Sequence, residues 1–258
     1  MRAMNLDIFS LQGKCALVTG ASRGLGQGMA VALARAGADV AAADIPALPP
    51  DDTCKQITSF GQRAFPLAGD LGKPDVPEKL FAEAVEKLGR VDILVNNAGI
   101  IRRAPAVDFS DKDWDDVIQI NLNAVFKLAR AAGRHMIGSG RGGKIISTAS
   151  LLAFQGGILV PSYAAAKGGV AQLTKALANE WGSKGINVNA VAPGYMATDN
   201  TTALRADPGR SKAILDRIPA GRWGTPEDVA NVVVFLASSA SDYVNGHVLV
   251  VDGGWLAR

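Results

Sequence analysis

Tyr163 and Lys167 are four residues apart in the stretch VPSYAAAKGGV, whose alanines favour a helix. Residues at positions i and i+4 share one helix face, so the phenol and the ammonium can be neighbours. A free phenol has a pKa of about 10 and is a poor base at neutral pH, but a nearby ammonium favours its deprotonated form. The pair therefore predicts a group that gives and takes a proton, although such pairs also occur as ordinary surface contacts.

The oxidation of an alcohol also needs a hydride acceptor, and because no side chain supplies one, a cofactor must bind near Tyr163. The stretch TGASRGLG joins the first predicted strand to the first predicted helix. Its glycines allow a tight turn and a close approach of the backbone to a ligand, and the helix amino terminus attracts a pyrophosphate. This turn predicts a dinucleotide-binding site at Gly20, Gly24 and Gly26.

Asp44 ends the second predicted strand, 18 residues after Gly26. A carboxylate at this place can accept hydrogen bonds from the adenosine ribose hydroxyls and would repel the 2′-phosphate of NADP. Asp44 could instead begin a turn before Pro46, and Arg23 could bind a 2′-phosphate. The sequence therefore favours NAD as the cofactor and leaves NADP possible.

The remainder of the chain alternates short apolar runs with longer segments that are rich in alanine and leucine. Seven strands are predicted, in KCALVTG, DVAAAD, RAFPLAGD, VDILVNNAG, GKIISTAS, INVNAVAPG and GHVLVVDGG. Helices are predicted in GLGQGMAVALARAGA, VPEKLFAEAVEKLG, TPEDVANVVVFLAS, the Tyr163 segment and about Asp111 to Met136. We expect an α/β fold, a single Rossmann-type doubly wound seven-stranded parallel sheet with helices on both faces.

The whole chain, residues 1–258, is expected to form one NAD(P)-binding domain, since no repeat or interdomain linker interrupts it. Gly37 is expected to end the first helix, and Thr225 to cap the last one. One irregular stretch, about Ala197 to Arg222, follows the sixth strand. A loop at that position can close over a bound molecule, so a substrate lid is predicted there.

The composition argues against several other classes of protein. The chain has 258 residues, 48% of them hydrophobic, a net charge of +3 and no long basic run, so no nucleic-acid partner is expected. Cys15 and Cys54 form no disulfide framework, and His135 and His247 have no metal-ligand spacing. No stretch reaches the ~18 apolar residues of a membrane span, and Asp7 interrupts a signal-peptide core. A cytoplasmic protein without a metal or a membrane partner is predicted.

Several motifs in one order resemble those of the short-chain dehydrogenase/reductase family. They are TGASRGLG, NNAG at Asn96 to Gly99, NLNAVF from Asn121, Ser150, Tyr163 with Lys167, and PG at Pro193–Gly194. The resemblance covers essentially the whole chain. It implies an NAD(P)-dependent oxidoreductase that acts on CH–OH groups, usually as a homotetramer, and it favours the catalytic interpretation of the tyrosine over a surface contact.

The resemblance also implies roles for four catalytic residues. Tyr163 would be the acid/base, and Lys167 would hold the nicotinamide ribose and lower the pKa of the tyrosine. Ser150 would orient the reacting carbonyl or hydroxyl group. Asn121 would support a water-linked proton relay behind the lysine.

A larger set of residues is implied in cofactor binding. Asp70 and Leu71 would flank the adenine, and Asn97 would lie near the adenosine-side ribose. Met196 and Thr198 would lie nearest the nicotinamide amide. The full set is Gly20, Ser22, Arg23, Gly24, Leu25, Gly26, Asp44, Asp70, Leu71, Asn97, Ala98, Gly99, Tyr163, Lys167, Pro193, Gly194, Met196 and Thr198.

A closer resemblance is to family members that act on sugar acids of the 2-deoxy-D-gluconate or 2-dehydro-3-deoxy-D-gluconate type. It is carried by GIIRR, FQGGILVPSY, APGYMATDNT, RIPAGRWG, SSASDYVNG and VDGGWLAR. The alternatives are oxidation of gluconate at carbon 5 and NADPH-dependent reduction of a 3-oxoacyl group on a carrier protein. A non-catalytic NAD(H) sensor is a further alternative, but a sensor has no chemical need for Ser150, Tyr163 and Lys167.

A sugar acid carries a carboxylate, which a planar guanidinium binds through two parallel hydrogen bonds. Arg102 and Arg103 follow the fourth predicted strand, on the ligand side of the sheet. Arg205, Arg217 and Arg222 lie in the predicted lid. Arg103 is the predicted substrate residue, together with the catalytic serine and tyrosine, because it lies further than Arg102 from NNAG and so nearer the open cleft.

Overall fold

The structure, a computed structural model, describes residues 6–258. In this range one sheet contains seven strands: β1 (Cys15–Thr19), β2 (Asp39–Asp44), β3 (Ala64–Ala68), β4 (Ile93–Asn96), β5 (Gly143–Thr148), β6 (Ile186–Pro193) and β7 (Val248–Val251). Every neighbouring pair is parallel, and the spatial order is β3-β2-β1-β4-β5-β6-β7. The predicted doubly wound sheet is confirmed.

Helices form a layer on each face of the sheet. They are α1 (Gly24–Arg35), α2 (Asp51–Ser59), α3 (Val76–Leu88), α4 (Asp111–Ile118), α5 (Ala124–Ser139), α6 (Pro161–Trp181), α7 (Thr202–Ala206), α8 (Pro208–Leu215) and α9 (Pro226–Ala237). The helices α1, α2 and α9 share one apolar core with the sheet, and α3, α5 and α6 share the other. Because successive side chains of a strand point to opposite faces, Ala16 and Val18 of β1 join the first core, and Cys15 and Leu17 join the second.

Two of the predicted helix ends are confirmed. Gly37 follows α1 with a φ of 110°, a left-handed conformation that glycine adopts without strain, and its N–H donates to the Ala34 carbonyl at 2.9 Å. Thr225 and Asp228 form a capping box at the start of α9, in which Thr225 N donates to Asp228 Oδ2 at 2.8 Å. Both ends therefore follow from local sequence.

The helix α2 is not predicted by the sequence pattern. It begins with Asp51 and Asp52, whose charges suit a helix amino terminus, but it is only nine residues long and mostly polar. Three of its residues, Thr53, Cys54 and Ile57, are buried against the sheet and α1. Tertiary packing, rather than a long apolar stripe, stabilises this helix.

The long helix predicted from about Asp111 to Met136 contains a change of winding. Ser110 caps α4 by accepting a hydrogen bond from Asp113 N at 3.1 Å, as a serine at this position commonly does. A π-helical turn, Gln119–Asn123, then separates α4 from α5. Single π-helical turns occur often at functional sites, and this one contains Asn121.

The stretch from Ala197 to Arg222 is largely helical, which corrects the prediction of an irregular segment. It contains α7 and α8, both too short to show a clear apolar period. Asp207 caps α8 by accepting a hydrogen bond from Arg210 N at 3.0 Å, and Pro208 occupies the first turn. Local capping therefore organises a segment that the periodicity assigns to a loop.

None of the helices between residues 6 and 258 has both the length and the apolar character needed to cross a bilayer. In the same range no three His, Cys, Asp or Glu side chains are grouped as metal ligands. Cys15 and Cys54 are free and buried, and burial raises the pKa of the Cys54 thiol to about 11, which makes it unreactive at neutral pH.

Candidate active site

A cavity of about 680 Å³ opens at the carboxyl ends of the strands, where the order reverses between β1 and β4. In open α/β sheets this switch point is the usual ligand-binding crevice. The cavity brings together most of the residues that the sequence assigns to the site. These are Gly20, Ser22, Arg23, Gly24, Leu25, Gly26, Asp44, Asp70, Leu71, Asn97, Ala98, Gly99, Arg103, Ser150, Tyr163, Lys167, Pro193, Gly194 and Thr198.

The turn between β1 and α1 has the shape of an anion cradle. Gly20 and Gly24 have φ values of 65° and 57°, which favour glycine. A Cβ atom at Gly26 would overlap the carbonyl oxygen of Gly20, and one at Gly20 would lie 2.9 Å from Ala98 Cα. The turn lines the cavity at the amino terminus of α1, where a helix favours an anion, so it fits the pyrophosphate of a dinucleotide.

Asn97 ties three strand ends together beneath this turn. Its side-chain amide donates to the carbonyl oxygens of Thr19 and Gly20 at 3.0 and 3.2 Å, and its Oδ1 accepts from Thr148 Oγ1 at 3.4 Å. The strands β1, β4 and β5 thus meet at one polar side chain. Asn97 supports the floor of the cavity as well as lining it.

The Asp44 carboxylate is held in place at the end of β2. Its Oδ2 accepts hydrogen bonds from the N–H and hydroxyl groups of Ser22 at 2.9 and 2.5 Å, and its Oδ1 accepts from Ile45 N at 2.8 Å. Arg23 is exposed and its Nη1 lies 3.1 Å from Asp199 Oδ2. The end of the cavity next to β2 therefore presents an oriented carboxylate and an arginine whose charge is partly balanced.

The helix α6 places Lys167 behind Tyr163. Lys167 is only 3% exposed, its Nζ donates to the Thr148 carbonyl at 2.5 Å, and the same atom lies 5.5 Å from the centroid of the Tyr163 ring. Burial of the ammonium lowers the pKa of Lys167 to about 8. The lysine is thus a desolvated cation with one fixed backbone partner.

The phenol of Tyr163 is also desolvated, and this raises its pKa. A hydrogen-bonding interaction with the Ser150 side chain and the charge of Arg103 act in the opposite direction. With the protein's side chains alone, the pKa of Tyr163 is therefore raised rather than lowered. Ser150 and Tyr163 nevertheless lie together at the cavity wall, where both can contact one substrate oxygen.

Asn121 does not line the cavity. It is fully buried in the π-helical turn, where its Oδ1 accepts from Ile100 N at 2.9 Å and its Nδ2 donates to the Ile100 carbonyl at 2.8 Å. Both ends of the side-chain amide are thus used to hold the backbone that follows NNAG. The observed contacts of its side chain are structural, and its part in a proton relay stays a prediction.

Met196 likewise lies outside the cavity lining. Its side chain is 4% exposed and packs in the core shared with α1 and α9, and its backbone pairs with Gly224. Its neighbour Thr198 does line the cavity. The backbone direction after β6 therefore turns one of these two side chains towards the core and the other towards the ligand side.

Besides Arg23, which pairs with Asp199, the arginines Arg103, Arg210 and Arg217 line the cavity. No carboxylate within residues 6–258 forms a salt bridge with any of these three. The other arginines considered from the sequence bond elsewhere: Arg102 with Asp113, Arg205 with the Thr198 carbonyl and Thr202, and Arg222 with Asp228. The sequence analysis misses Arg210, which faces the cavity only because α8 forms.

Comparisons with known proteins agree with this geometry. A family model described as "Enoyl-(Acyl carrier protein) reductase" matches residues 20–256. A 2-dehydro-3-deoxy-D-gluconate 5-dehydrogenase of Escherichia coli is 58% identical over 99% of this chain and 100% of its own length. A gluconate 5-dehydrogenase of Gluconobacter oxydans is 45% identical over 96% of each chain.

Among solved structures, one from Agrobacterium tumefaciens is similar over 97% of this chain and 99% of its own, with a TM-score of 0.92 and 57% identity. It is described provisionally as a 2-deoxy-D-gluconate 3-dehydrogenase and contains bound NADP. The likeness extends over the sheet, both helical layers and the segment between β6 and α9.

Proposed function

We propose a function for this protein from one premise: the chain belongs to the short-chain dehydrogenase/reductase family. It is therefore an NAD(P)-dependent oxidoreductase that acts on CH–OH groups. Within that class, the proposed reaction interconverts a secondary hydroxyl and a ketone on a sugar acid. The proposed substrates are of the 2-dehydro-3-deoxy-D-gluconate or 2-deoxy-D-gluconate type, and the proposed cofactor is NAD.

The observation that carries this proposal is a group of three arginines in the cavity that Ser150 and Tyr163 also line. Arg103, Arg210 and Arg217 all line the same cavity, and no carboxylate of the described chain neutralises them. Guanidinium groups bind carboxylates through paired, charge-assisted hydrogen bonds. A substrate that carries a carboxylate suits this cavity better than a neutral polyol does.

The roles proposed for the side chains are those that the family implies, and the positions of Ser150, Tyr163 and Lys167 in the cavity support them. When bound, NAD supplies the hydride acceptor. Tyr163 takes the proton of the hydroxyl group during oxidation and returns it during reduction, while the Ser150 hydroxyl donates a hydrogen bond to the same oxygen. Lys167, oriented by the Thr148 carbonyl, is proposed to bind the nicotinamide ribose hydroxyls. Asn121 is proposed to support a proton relay behind the lysine.

NAD rather than NADP is proposed because of the carboxylate at the end of β2. Ser22 holds Asp44 in an orientation that accepts hydrogen bonds from ribose hydroxyls and repels a phosphate. Arg23, the group that would favour a phosphate, is paired with Asp199. The NADP found in the Agrobacterium relative is the reason to test this choice directly.

We further propose that residues 1–258 act as one NAD(P)-binding domain with residues 197–222 as a substrate lid. Support comes from Leu204, Arg210 and Arg217, which reach the cavity from this segment. The protein is further proposed to be a homotetramer, the family's usual assembly, and to lie in the cytoplasm. Measurement of the mass in solution by light scattering would test the assembly.

The experiment that tests the substrate class compares the KM values of the Arg103→Ala and Arg102→Ala variants. Arg102 is the neighbouring arginine, but it pairs with Asp113 and does not line the cavity, so it is a matched control. Loss of a charge-assisted hydrogen bond of about 1.5–3 kcal/mol should raise the KM of Arg103→Ala for a sugar acid about 10- to 150-fold. A neutral polyol should be affected far less, and Arg102→Ala should resemble the wild type.

The substrate panel contains 2-dehydro-3-deoxy-D-gluconate, 2-deoxy-D-gluconate, D-gluconate, a neutral polyol and a 3-oxoacyl carrier protein, with NADH or NADPH absorbance as the readout. A preference for a sugar acid supports the proposal. A preference for the polyol or for the carrier-bound chain would overturn it. NADH binding without turnover of any compound would favour a sensor instead.

A further inference from the structure

The indole ring of Trp255 contacts side chains from several elements that line the cavity. Arg217 Cζ lies 4.0 Å from the centroid of the Trp255 ring, and the Tyr195 ring centroid lies 4.6 Å away on a tilted plane. Trp255 Nε1 donates to Gln155 Oε1 at 3.3 Å. All four of these residues line the cavity, although Trp255 itself is only 4% exposed.

The backbone around Arg217 is fixed by the segment that follows β7. Arg258 donates from Nε to the Arg217 carbonyl at 3.2 Å and from Nη2 to the Asp216 carbonyl at 2.6 Å. Ala220 N donates to the Gly253 carbonyl at 2.9 Å. Residues after β7 therefore hold the chain on both sides of Arg217.

Packing reinforces these hydrogen bonds. Trp255 shares a buried apolar cluster with Leu151, Ile214 and Ile218. Leu151 directly follows the catalytic Ser150, and the two isoleucines flank Arg217 in the chain. The position of the Arg217 backbone is thus linked to the position of the serine through one packed side chain.

The Arg217 guanidinium is not paired with an anionic side chain of the described chain. Among residues 6–258 no carboxylate lies within salt-bridge distance of it, and its N–H groups donate no hydrogen bond in the structure. The ring contact holds one face of the planar group, which leaves the N–H donors along its edge available. Such an arginine is oriented for a ligand before the ligand binds.

We infer that Arg217 is a second carboxylate-binding residue, which acts with Arg103 from a different wall of the cavity, and that Trp255 and Arg258 are its positioning residues. Arg103 follows β4, whereas Arg217 follows α8, so the two guanidinium groups reach the substrate end from separate elements. The inference rests on the proposed sugar-acid function. It makes the segment after β7 a determinant of substrate specificity.

The test measures binding as well as turnover. Calorimetric titration of D-gluconate into NAD-loaded enzyme that carries Tyr163→Phe reports substrate affinity without reaction. In this background Arg217→Ala should raise the Kd of D-gluconate at least about tenfold, with the Kd of NAD unchanged. Lys212→Ala is the matched control, since Lys212 is an exposed cation of α8 that pairs with Asp216 outside the cavity.

If Arg258 acts by positioning Arg217, its replacement should change the KM less than replacement of Arg217 does, and only while Arg217 is present. In the enzyme with Tyr163 intact, Arg258→Ala should raise the KM for a sugar acid about threefold without changing kcat. It should have no further effect when Arg217 is already alanine, because coupled residues are not additive. Arg258→Lys, which keeps a donor, should recover part of the affinity.

A double-mutant cycle of Arg103→Ala and Arg217→Ala should also be non-additive if both residues contact one carboxylate. Arg217→Gln provides a second variant of similar size should alanine disturb the fold. Sugar-acid turnover with an unchanged D-gluconate Kd in both Arg217 variants would overturn this inference alone. Wild-type enzyme that prefers neutral polyols would overturn the proposed function as well.

Discussion

Replacement of the buried Lys167 by methionine should change how stability depends on pH. The pKa of Lys167 falls from 10.5 to about 8 because its ammonium is desolvated. At about pH 7 the folded protein therefore carries a cost of about 3 kcal/mol for this charge. Lys167→Met keeps a side chain of similar length, removes that cost, and loses the hydrogen bond from the ammonium to Thr148, which contributes about 1.5–3 kcal/mol.

The sign of the pH effect follows from the two pKa values. Between about pH 8 and the unfolded pKa of 10.5, the unfolded chain retains the proton that the folded chain has lost, so wild-type stability rises with pH. From about pH 7 to about pH 9.5 this rise amounts to about 2 kcal/mol. Lys167→Met lacks it, so its stability relative to wild type should fall by about 2 kcal/mol over the same range.

Urea denaturation followed by tryptophan fluorescence, at one protein concentration and without NAD, measures this difference. Lys175→Met is the matched control, because Lys175 is exposed on the same helix and should follow the wild type at every pH. The reasoning would be refuted if the difference in the free energy of unfolding between Lys167→Met and the wild type stayed constant with pH. It would mean that water reaches the ammonium or that the Thr148 carbonyl compensates for its burial.

Three further substitutions probe the proton-transfer group and the cofactor turn. Tyr163→Phe should abolish turnover, to below a few per cent of wild-type kcat, while calorimetry shows NAD binding largely intact. Asp44→Ala should reduce the ratio of kcat/KM for NAD to kcat/KM for NADP at least about tenfold, since about 1.4 kcal/mol of repulsion is relieved. A wild-type enzyme that already prefers NADP would contradict this. Gly26→Ala should weaken NAD binding at least about tenfold, because its Cβ would overlap the Gly20 carbonyl, whereas Gly138→Ala, which meets open space, should bind NAD normally.

The sequence predicts the strands more completely than the helices. Each of the seven predicted strand segments contains an observed strand. The pattern is clearest in the wholly buried strands β1 and β4, because a strand covered on both faces is apolar over nearly its whole length. The helices α2, α7 and α8 are short and polar, so their apolar residues do not form a periodic stripe. Capping and packing against distant residues stabilise them, and neither shows in a local pattern of hydrophobicity.

The proposed catalytic pair and the glycine turn are predictable because their relations are local. Tyr163 and Lys167 are neighbours through the geometry of a single helix, and the glycine turn follows from one strand–helix junction. The contacts of Asn121 and Met196 cannot be predicted from local spacing. Their side chains contact Ile100 and the α1–α9 core, which are partners from other elements.

The substrate end of the cavity depends on the tertiary structure most strongly. From the sequence, position after the fourth strand favours Arg103 over Arg102, but nothing separates Arg217 from Arg222 or indicates Arg210. The fold pairs two of them with aspartates and leaves the other three at the cavity, one of them stacked on Trp255. Local spacing determines which side chains share a helix face. Only the tertiary structure determines which arginines form a salt bridge and which remain available to a ligand.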